Sequence, residues 1–269
     1  MNRPEIDWNA VWRDIHARKQ TPARDPAFWD KRAAEFARHV RRSDYIDQFI
    51  SIMSPQPAWR VLDVGSGAGT LAVPLAACVR HITAMDPSRR MRELLDARCR
   101  EHAIENIRII DGRWEDDWRR LGIAEHDIVV ASRSLMVEDI GDAVGKLQRF
   151  ATRRVYISTL VDDGPHDRNI VEAVGREFHA GADYIVLVNI LRRMGIFANL
   201  AFTVNRDRKT FSDLADAVGA MRWMIHEMTR TEEERLRAYL ARVLVRGNGG
   251  WTLPYQRVVR WAVLWWDKE

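Results

Sequence analysis

The sequence of 269 residues is poor in cysteine, and Cys78 and Cys99 are the only two. They form neither a metal-type spacing nor a disulfide framework, which indicates a reducing compartment. Long apolar runs are also lacking, because no window approaches the roughly 18 to 20 apolar residues that a membrane span needs. The N-terminal MNRPEIDWNAVW has no apolar core of a secretory signal. We therefore expect a cytoplasmic protein with no metal site and no membrane partner.

The charge is modestly positive and no dense basic block stands out. The formal net charge is +4 and the pI is about 9.3, with arginine greatly outnumbering lysine. A basic balance is compatible with an anionic partner such as nucleic acid. A solvated surface that is rich in arginine explains it more simply, because the charges are spread along the chain. The apolar fraction of 46% is enough for one core domain with additions.

The first 55 residues have the periodicity of helices. Trp8, Trp12 and Ile15 recur at helical spacing. In the stretch DPAFWDKRAAEFARHV, Asp25 is placed as an N-cap and Pro26 as the first helical residue. A third helix is predicted for SDYIDQFISIM. Residues 1–55 are therefore predicted to form an N-terminal helical segment, and residues 56–269 the main domain.

From residue 59 onward, short apolar runs alternate with amphipathic stretches near 70–78, 88–102 and 139–150. This interval is typical of a parallel sheet with crossover helices. Continuous apolar runs indicate strands that are buried on both faces. The predicted strands are RVLDV (60–64), HITAMD (81–86), IRII (107–110), DIVVAS (127–132) and RVYIST (154–159).

The last hundred residues predict a different arrangement. Helices are expected near 165–178 and 183–194, followed by a strand at 197–204. Two helices are predicted within 211–244, the second opened by a capping box of Thr231 and Glu234. GNGG (247–250) is read as a break, and YQRVVRWAVLWWDK as a final strand at 257–266. Residues 206–250 are thus predicted to be a helical insertion before the last strand.

Three glycines lie where the first strand meets a helix, in VLDVGSGAGTLAVPLA (61–76). Glycine at such a bend allows a sharp turn and the close approach of a ligand to the backbone. Ligands of parallel sheets bind beyond the carboxyl ends of the strands, and amides at a helix N-terminus bind anionic groups. The dinucleotide fingerprint requires glycine or alanine where this chain has Thr70. The spacing therefore disfavours a nicotinamide dehydrogenase.

The pattern of Asp63 followed by Gly65, Gly67 and Gly69 resembles motif I of the class I S-adenosylmethionine-dependent methyltransferases. The resemblance implies a Rossmann-like seven-stranded α/β sheet, mostly parallel, with the last strand antiparallel between the fifth and the sixth. It implies S-adenosylmethionine as the cofactor, bound by this loop, Ser66 included. Asp63 would either hold the loop through its amides or contact the cofactor's ammonium through water.

Asp86 ends the second strand, seventeen residues after Gly69. A carboxylate at this place can accept hydrogen bonds from both hydroxyls of a ribose, and Pro87 follows it in the expected binding site. The alternative is that Asp86 caps the next helix, since Asp-Pro-Ser also begins helices well. Both nicotinamide and S-adenosylmethionine enzymes use such a residue, so Asp86 indicates a ribose and not which cofactor carries it.

Two further segments correspond to landmarks of the same family. After the third strand, Trp114 is expected to cover the adenine ring, and Arg113 stands where the family often has aspartate. Because arginine cannot accept the amine proton, Asp111, Glu115 or a backbone carbonyl would replace that contact. After the fourth strand, Ser132 is expected near the methionine end. The Asn/Asp-Pro-Pro-Tyr segment of amino-group methyltransferases is absent there.

The substrate side is less defined by the sequence. The N-terminal helices and the insertion are expected to cover the pocket. Phe28 or Trp29 would then line the pocket, and Arg32 would lie near the cofactor's carboxylate. The alternative is that these aromatic side chains are the buried face of an amphipathic helix. His166 is a weak candidate for a general base. A covered pocket favours a small-molecule acceptor. An RNA or protein methyltransferase, and a module that binds the cofactor or a nucleotide without turnover, remain alternatives.

Overall fold

The computed structural model describes residues 6–18, 25–40, 44–207 and 209–268. Its strands are β1 (Arg60–Val64), β2 (His81–Asp86), β3 (Ile107–Asp111), β4 (His126–Ser132), β5 (Ala151–Leu160), β6 (Asn199–Asp207), β7 (Val245–Gly247), β8 (Gly250–Thr252) and β9 (Arg257–Asp267). Its helices are α1 (Trp8–Arg18), α2 (Pro26–Val40), α3 (Tyr45–Met53), α4 (Ala72–Leu75), α5 (Arg89–Glu101), α6 (Ile140–Phe150), α7 (Arg168–Ala173), α8 (Tyr184–Arg193), α9 (Leu214–Met221) and α10 (Arg230–Val243), with a 3₁₀ turn at Arg222–Met224.

Seven strands form one sheet in the order β3-β2-β1-β4-β5-β9-β6. Strands β1 to β5 pair in parallel, and β9 pairs antiparallel with both β5 and β6. The mostly parallel sheet with an antiparallel last strand is confirmed. The chain leaves β1 towards β2 on one side and β4 lies on the other, so the switch point of the sheet is at the end of β1.

The sheet is buried on both faces, as its continuous apolar runs predict. Leu62 and Val129 pack on one side with residues of α6 and α8, and α1 lies outside these helices. Val61 and Val130 pack on the other side with α3, α4 and α5. The order of strands thus places the ends of β1, β2 and β4 together at one edge, between two helical layers.

The N-terminal helices dock at defined positions. The Asp25 carboxylate accepts a hydrogen bond from the amide of Ala27 at 2.9 Å, as an N-terminal cap of α2 does. In α3, the Gln48 side chain bonds both the amide and the carbonyl of Val204 in β6. This contact covers part of the backbone of an edge strand that has no further strand beside it.

The segment between β6 and β9 forms a small hydrophobic core together with α7. Met221 of α9 and Leu236 and Leu240 of α10 pack with Ile170 of α7. The capping box of α10 is formed by Thr229 and Glu232. The sequence-based choice of Thr231 and Glu234 is therefore wrong by two residues, because the helix begins at Arg230. The GNGG stretch is the turn of the β7–β8 hairpin and not a simple break.

Candidate active site

The glycine loop after β1 turns sharply against the end of β2. The amides of Gly65 and Ser66 both donate to the carbonyl of Met85, at 2.8 and 3.0 Å. Gly65 has φ of 72°, and a Cβ at this position would lie 2.4 Å from the Cβ of Ser134. A side chain cannot be accommodated there, so glycine allows the loop to lie against the segment that follows β4.

Gly69 closes the same loop against α5. Its φ is 75°, and an added Cβ would lie 2.4 Å from Cδ1 of Leu95. The Arg98 guanidinium donates to the carbonyls of Ala68 and Gly69 at 2.7 and 3.1 Å. Gly69 therefore serves close packing between the loop and a helix, whereas Gly65 serves the approach of the loop to β4.

Asp86 links the loop to the start of α5. One carboxylate oxygen accepts from the amide of Gly67 at 2.8 Å, and the other accepts from the amide of Ser88 at 2.8 Å. Burial raises the pKa of Asp86, and the two amides oppose this effect. Each oxygen of a carboxylate can accept a further hydrogen bond. Ser88, whose side chain accepts from the amide of Met91, is the N-cap of α5.

Asp63 is an acidic group with little solvation. It is 2% exposed, and its Oδ2 atom has no hydrogen-bond partner among the described residues. Burial raises the pKa of the Asp63 carboxyl to about 7, the Asp86 charge adds to this rise, and the Arg133 charge opposes it. No amide of the loop bonds to Asp63. The buried hydroxyl of Ser66 also lacks a partner among the described residues, so the loop carries polar atoms with unused hydrogen-bonding capacity.

The raised pKa of Asp63 predicts a pH-dependent stability difference. A carboxyl with a folded pKa near 7 and an unfolded pKa near 4 contributes stability below pH 4 that is lost as the pH rises to about 7. Asp63→Asn removes this loss, so its free energy of unfolding relative to wild type should rise by on the order of 2–4 kcal/mol between pH 4 and 7. Urea unfolding at both pH values measures it. A difference that does not change with pH would contradict the raised pKa.

The exit of β4 joins the N-terminal helices through hydroxyl groups. The Tyr45 hydroxyl of α3 lies 2.7 Å from Oγ of Ser132 and 2.6 Å from Oγ of Ser158 in β5. Burial raises the pKa of Tyr45, so this phenol remains protonated and able to donate. Sequence reasoning placed Ser132 here but missed Tyr45, which in the sequence is one more apolar-face residue of an amphipathic helix.

The segment after β3 places Trp114 beside the exit of β4. Its indole Nε1 donates to the carbonyl of Ser134 at 3.0 Å, and its ring is partly buried against the core. The Arg113 side chain is exposed, and its carbonyl accepts from Nε1 of Trp118. Asp111 is paired with Arg92 through two hydrogen bonds. The structure thus joins Trp114 to Ser134 at the exit of β4, whereas the Arg113 side chain is exposed.

Two elements that are distant in sequence meet above this edge. In α2, Asp30 accepts from the Ser88 hydroxyl at 2.5 Å and from the amide of Arg90 at 3.0 Å, so α2 is fixed on the start of α5. The Phe28 ring of α2 contacts the His226 ring in the loop before α10, with centroids 5.4 Å apart. We call α2 together with residues 209–250 the roof, and its two parts are in contact.

The far end of the roof reaches the exit of β5. Trp223 contacts His166 with ring centroids 5.4 Å apart. His166 lines a cavity of about 360 Å³ between residues 161–169 and 255–260. Pro87, which follows Asp86 in the sequence, does not line this cavity. The sequence-predicted residues Asp63, Gly65, Ser66, Gly67 and Asp86 are together at the ends of β1 and β2. His166 lies separately, at the end of β5.

The described residues contain no group of three or more His, Cys, Asp or Glu side chains that could hold a metal ion. In the same part of the chain, we find no helix that is both long enough and apolar enough to span a bilayer.

Comparison with known proteins identifies this arrangement. Residues 61–153 match the family model of a methyltransferase domain. An uncharacterized protein of Haemophilus influenzae is 30% identical over 248 residues, which cover 91% of this chain and 90% of that protein. Ribosomal RNA small subunit methyltransferase G of Mycolicibacterium smegmatis is 31% identical over 96 residues, or 35% of this chain and 38% of that protein.

The fold is shared with solved structures at low sequence identity. The YcgJ protein of Bacillus subtilis superposes with a TM-score of 0.56 and 15% identity, and the match covers 83% of this chain and 97% of that chain. The strand order of the sheet is thus consistent with the methyltransferase domain that the family model matches. The chain is therefore an S-adenosylmethionine-dependent methyltransferase, with its methyltransferase domain matched at residues 61–153.

Proposed function

We propose that this methyltransferase acts on a small-molecule acceptor in a pocket beneath the roof. The observation that supports the proposal is the contact between Phe28 of α2 and His226 of the insertion. It connects the helix docked at Ser88 with the segment that reaches His166. A covered site admits a small molecule more readily than a nucleic acid duplex, and such a cover also excludes water.

The proposed cofactor site follows from the unused polar groups of the loop. Asp86 retains acceptor capacity for the ribose hydroxyls, and the buried, unpartnered Oδ2 of Asp63 suits a cationic ammonium. Trp114, tethered to Ser134, would cover the adenine. The proposed binding set also includes the loop residues Gly65, Ser66, Gly67 and Gly69. It is completed by Pro87 after β2, Arg113 after β3 and Ser132 at the end of β4.

The cofactor supplies an electrophilic methyl group on a sulfonium, and the chain supplies alignment and exclusion of water. When bound, S-adenosylmethionine would transfer this methyl group to a lone pair of the acceptor and would leave as S-adenosylhomocysteine. An acceptor that carries a proton must lose it, and the His166 ring, which lines the cavity after β5, is the proposed general base. No further catalytic group is required when the acceptor has a free lone pair.

Asp86→Asn is expected to weaken the binding of S-adenosylhomocysteine roughly 10- to 100-fold. Both carboxylate oxygens accept backbone N–H groups, so an amide NH₂ must face one of these donors and also removes an acceptor for the ribose. Isothermal titration calorimetry measures the change. Asp96→Asn, an exposed carboxylate on α5, is the matched control. An affinity of Asp86→Asn equal to that of the control would refute the ribose assignment.

The class of acceptor can be tested with S-adenosylmethionine that carries a labelled methyl group. The enzyme is incubated with a cell extract that has been separated into small molecules, RNA and protein. We expect label in the small-molecule fraction. Label in RNA, with binding that weakens steeply with salt, would instead support the RNA alternative, and label in protein the second alternative. Binding of the cofactor without transfer to any fraction would support a non-catalytic module.

A further inference from the structure

The backbone of Arg133 is anchored by hydrogen bonds at the exit of β4. Its backbone is left-handed, with φ of 57°, a conformation that is uncommon for a residue other than glycine. Its amide donates to both the carbonyl and the hydroxyl of Ser158, each at 3.1 Å. The next residue, Ser134, is joined to the carbonyl of Val64 through its hydroxyl. The position of Arg133 is thus tied to the ends of both β1 and β5.

The Arg133 guanidinium lies among aromatic rings. It stacks on Tyr45 at 4.2 Å from the ring centroid and is 5.4 Å from the centroid of Trp261. Burial lowers the pKa of Arg133, and the nearby Tyr45 and Asp63 oppose this. In the parts of the chain that the structure describes, no carboxylate forms an ion pair with it. Arg133 is therefore an oriented cation that forms no ion pair within residues 6–18, 25–40, 44–207 and 209–268.

Asp63 is the complementary group on the neighbouring strand. The charges of Asp63 and Arg133 act on each other, yet the two side chains form no direct ion pair. Asp63 Oδ2 is buried without a hydrogen-bond partner among the described residues. A carboxylate and a guanidinium that form no ion pair with any described residue, at the ends of adjacent strands, are complementary to a molecule with an ammonium and a carboxylate on one carbon.

We propose that Arg133 binds the carboxylate of the cofactor's amino-acid end, while Asp63 faces the ammonium of the same group. The proposal rests on the assignment of the glycine loop as the cofactor site. Arginine presents a planar fork that pairs with both oxygens of a carboxylate, and the aromatic support keeps this fork oriented. Arg133 would thereby place the sulfonium relative to the acceptor, which makes it a residue that positions the cofactor.

The competing assignment is Arg32 on α2. The Arg32 guanidinium lies 4.3 Å from the centroid of the Phe28 ring, on the helix that forms part of the roof. Its backbone belongs to a regular helix, whereas that of Arg133 is fixed by Ser158 at the exit of β4. The two arginines can be distinguished experimentally. Only substitution of the arginine that binds the carboxylate should remove the difference in affinity between a ligand with this carboxylate and a ligand without it.

Calorimetric titration with two ligands tests the proposal. One is S-adenosylmethionine, and the other is decarboxylated S-adenosylmethionine, which keeps the ammonium and lacks the carboxylate. Wild type should bind the first roughly 10- to 100-fold more tightly than the second. Arg133→Met should lose this preference by weakening only the first ligand, and Arg133→Lys should retain part of it. Arg100→Met, at an exposed position on α5, is the matched control and should behave as wild type.

The outcomes separate the proposal from the function on which it rests. Wild type that binds both ligands equally, or Arg133→Met that weakens both by the same factor, would overturn the role of Arg133. Loss of the preference in Arg32→Met with its retention in Arg133→Met would assign the carboxylate to Arg32. If wild type bound neither ligand, the proposed cofactor site itself would fail. The comparison of the two ligands in the wild-type protein does not depend on whether any variant folds.

Discussion

Gly67→Arg is expected to abolish the binding of S-adenosylmethionine while the protein remains folded. Gly67 lies in the glycine loop with φ of 55°. Its amide donates to Asp86, so it is next to the proposed ribose site. A left-handed arginine costs roughly 1–2 kcal/mol, which a domain of this size tolerates. The long side chain would occupy the space of the cofactor. Calorimetry should show an affinity at least 100-fold weaker, or no binding.

The control for this prediction is another glycine. Gly219 lies in α9 with no atom within 4 Å of an added Cβ. Gly219→Arg should bind the cofactor as wild type does and should keep or improve stability, because glycine is a poor helix former. Unchanged affinity in Gly67→Arg, with circular dichroism showing a folded chain, would place the cofactor elsewhere.

Arg257→Met is expected to lower the free energy of unfolding by roughly 3 kcal/mol. Arg257 begins β9 and lies 3.5 Å from the Asp167 carboxylate, and the two side chains are only 13% and 5% exposed. It also donates to the carbonyl of Pro165 at 2.6 Å. Without Arg257, Asp167 keeps its bonds to Tyr255 and to the amide of Asn169 but loses its cation. The melting temperature should fall by about 10 °C.

Two further variants identify the cause of that loss. Arg153→Met removes an arginine that is 67% exposed, and it should change the free energy of unfolding by about 0.5 kcal/mol or less. Asp167→Asn combined with Arg257→Met removes the carboxylate left without a cation, so part of the lost stability should return. Equal losses in Arg257→Met and Arg153→Met would show that the buried pair is not what holds β9 to the loop after β5.

Strands and their order were predictable because the pattern that identifies them is local. RVLDV and HITAMD are continuous apolar runs, and their ends coincide with β1 and β2. The strength of that pattern decreases in the insertion, where two threonines and three glutamates offer neighbouring capping positions. The structure selects Thr229 and Glu232, since this start sets the face of α10 that packs on α7 and α9. Local sequence does not distinguish between such registers.

The candidate site was predictable only on the cofactor side. Glycines and carboxylates at strand ends have characteristic spacings, so Gly65 and Asp86 were recognisable. Arg133 was not singled out, although an arginine directly after a buried strand is unusual enough to be noted. Asp30 gave no signal, because its function as a second cap of α5 depends on how α2 docks. A contact between two segments that are distant in the chain produces no hydrophobic periodicity in the sequence of either segment.

The amino-acid sequence by itself determined the parallel sheet, the glycine bend after β1 and the position of Asp86 at the end of β2. These features follow from hydrophobic periodicity and backbone conformation, which act over a few neighbouring residues. Only the tertiary structure decided that α2 and the insertion meet at Phe28 and His226, and that the Arg133 guanidinium lies against the rings of Tyr45 and Trp261. Packing between segments far apart in the chain creates these environments, and the charge of a side chain acquires its role from them.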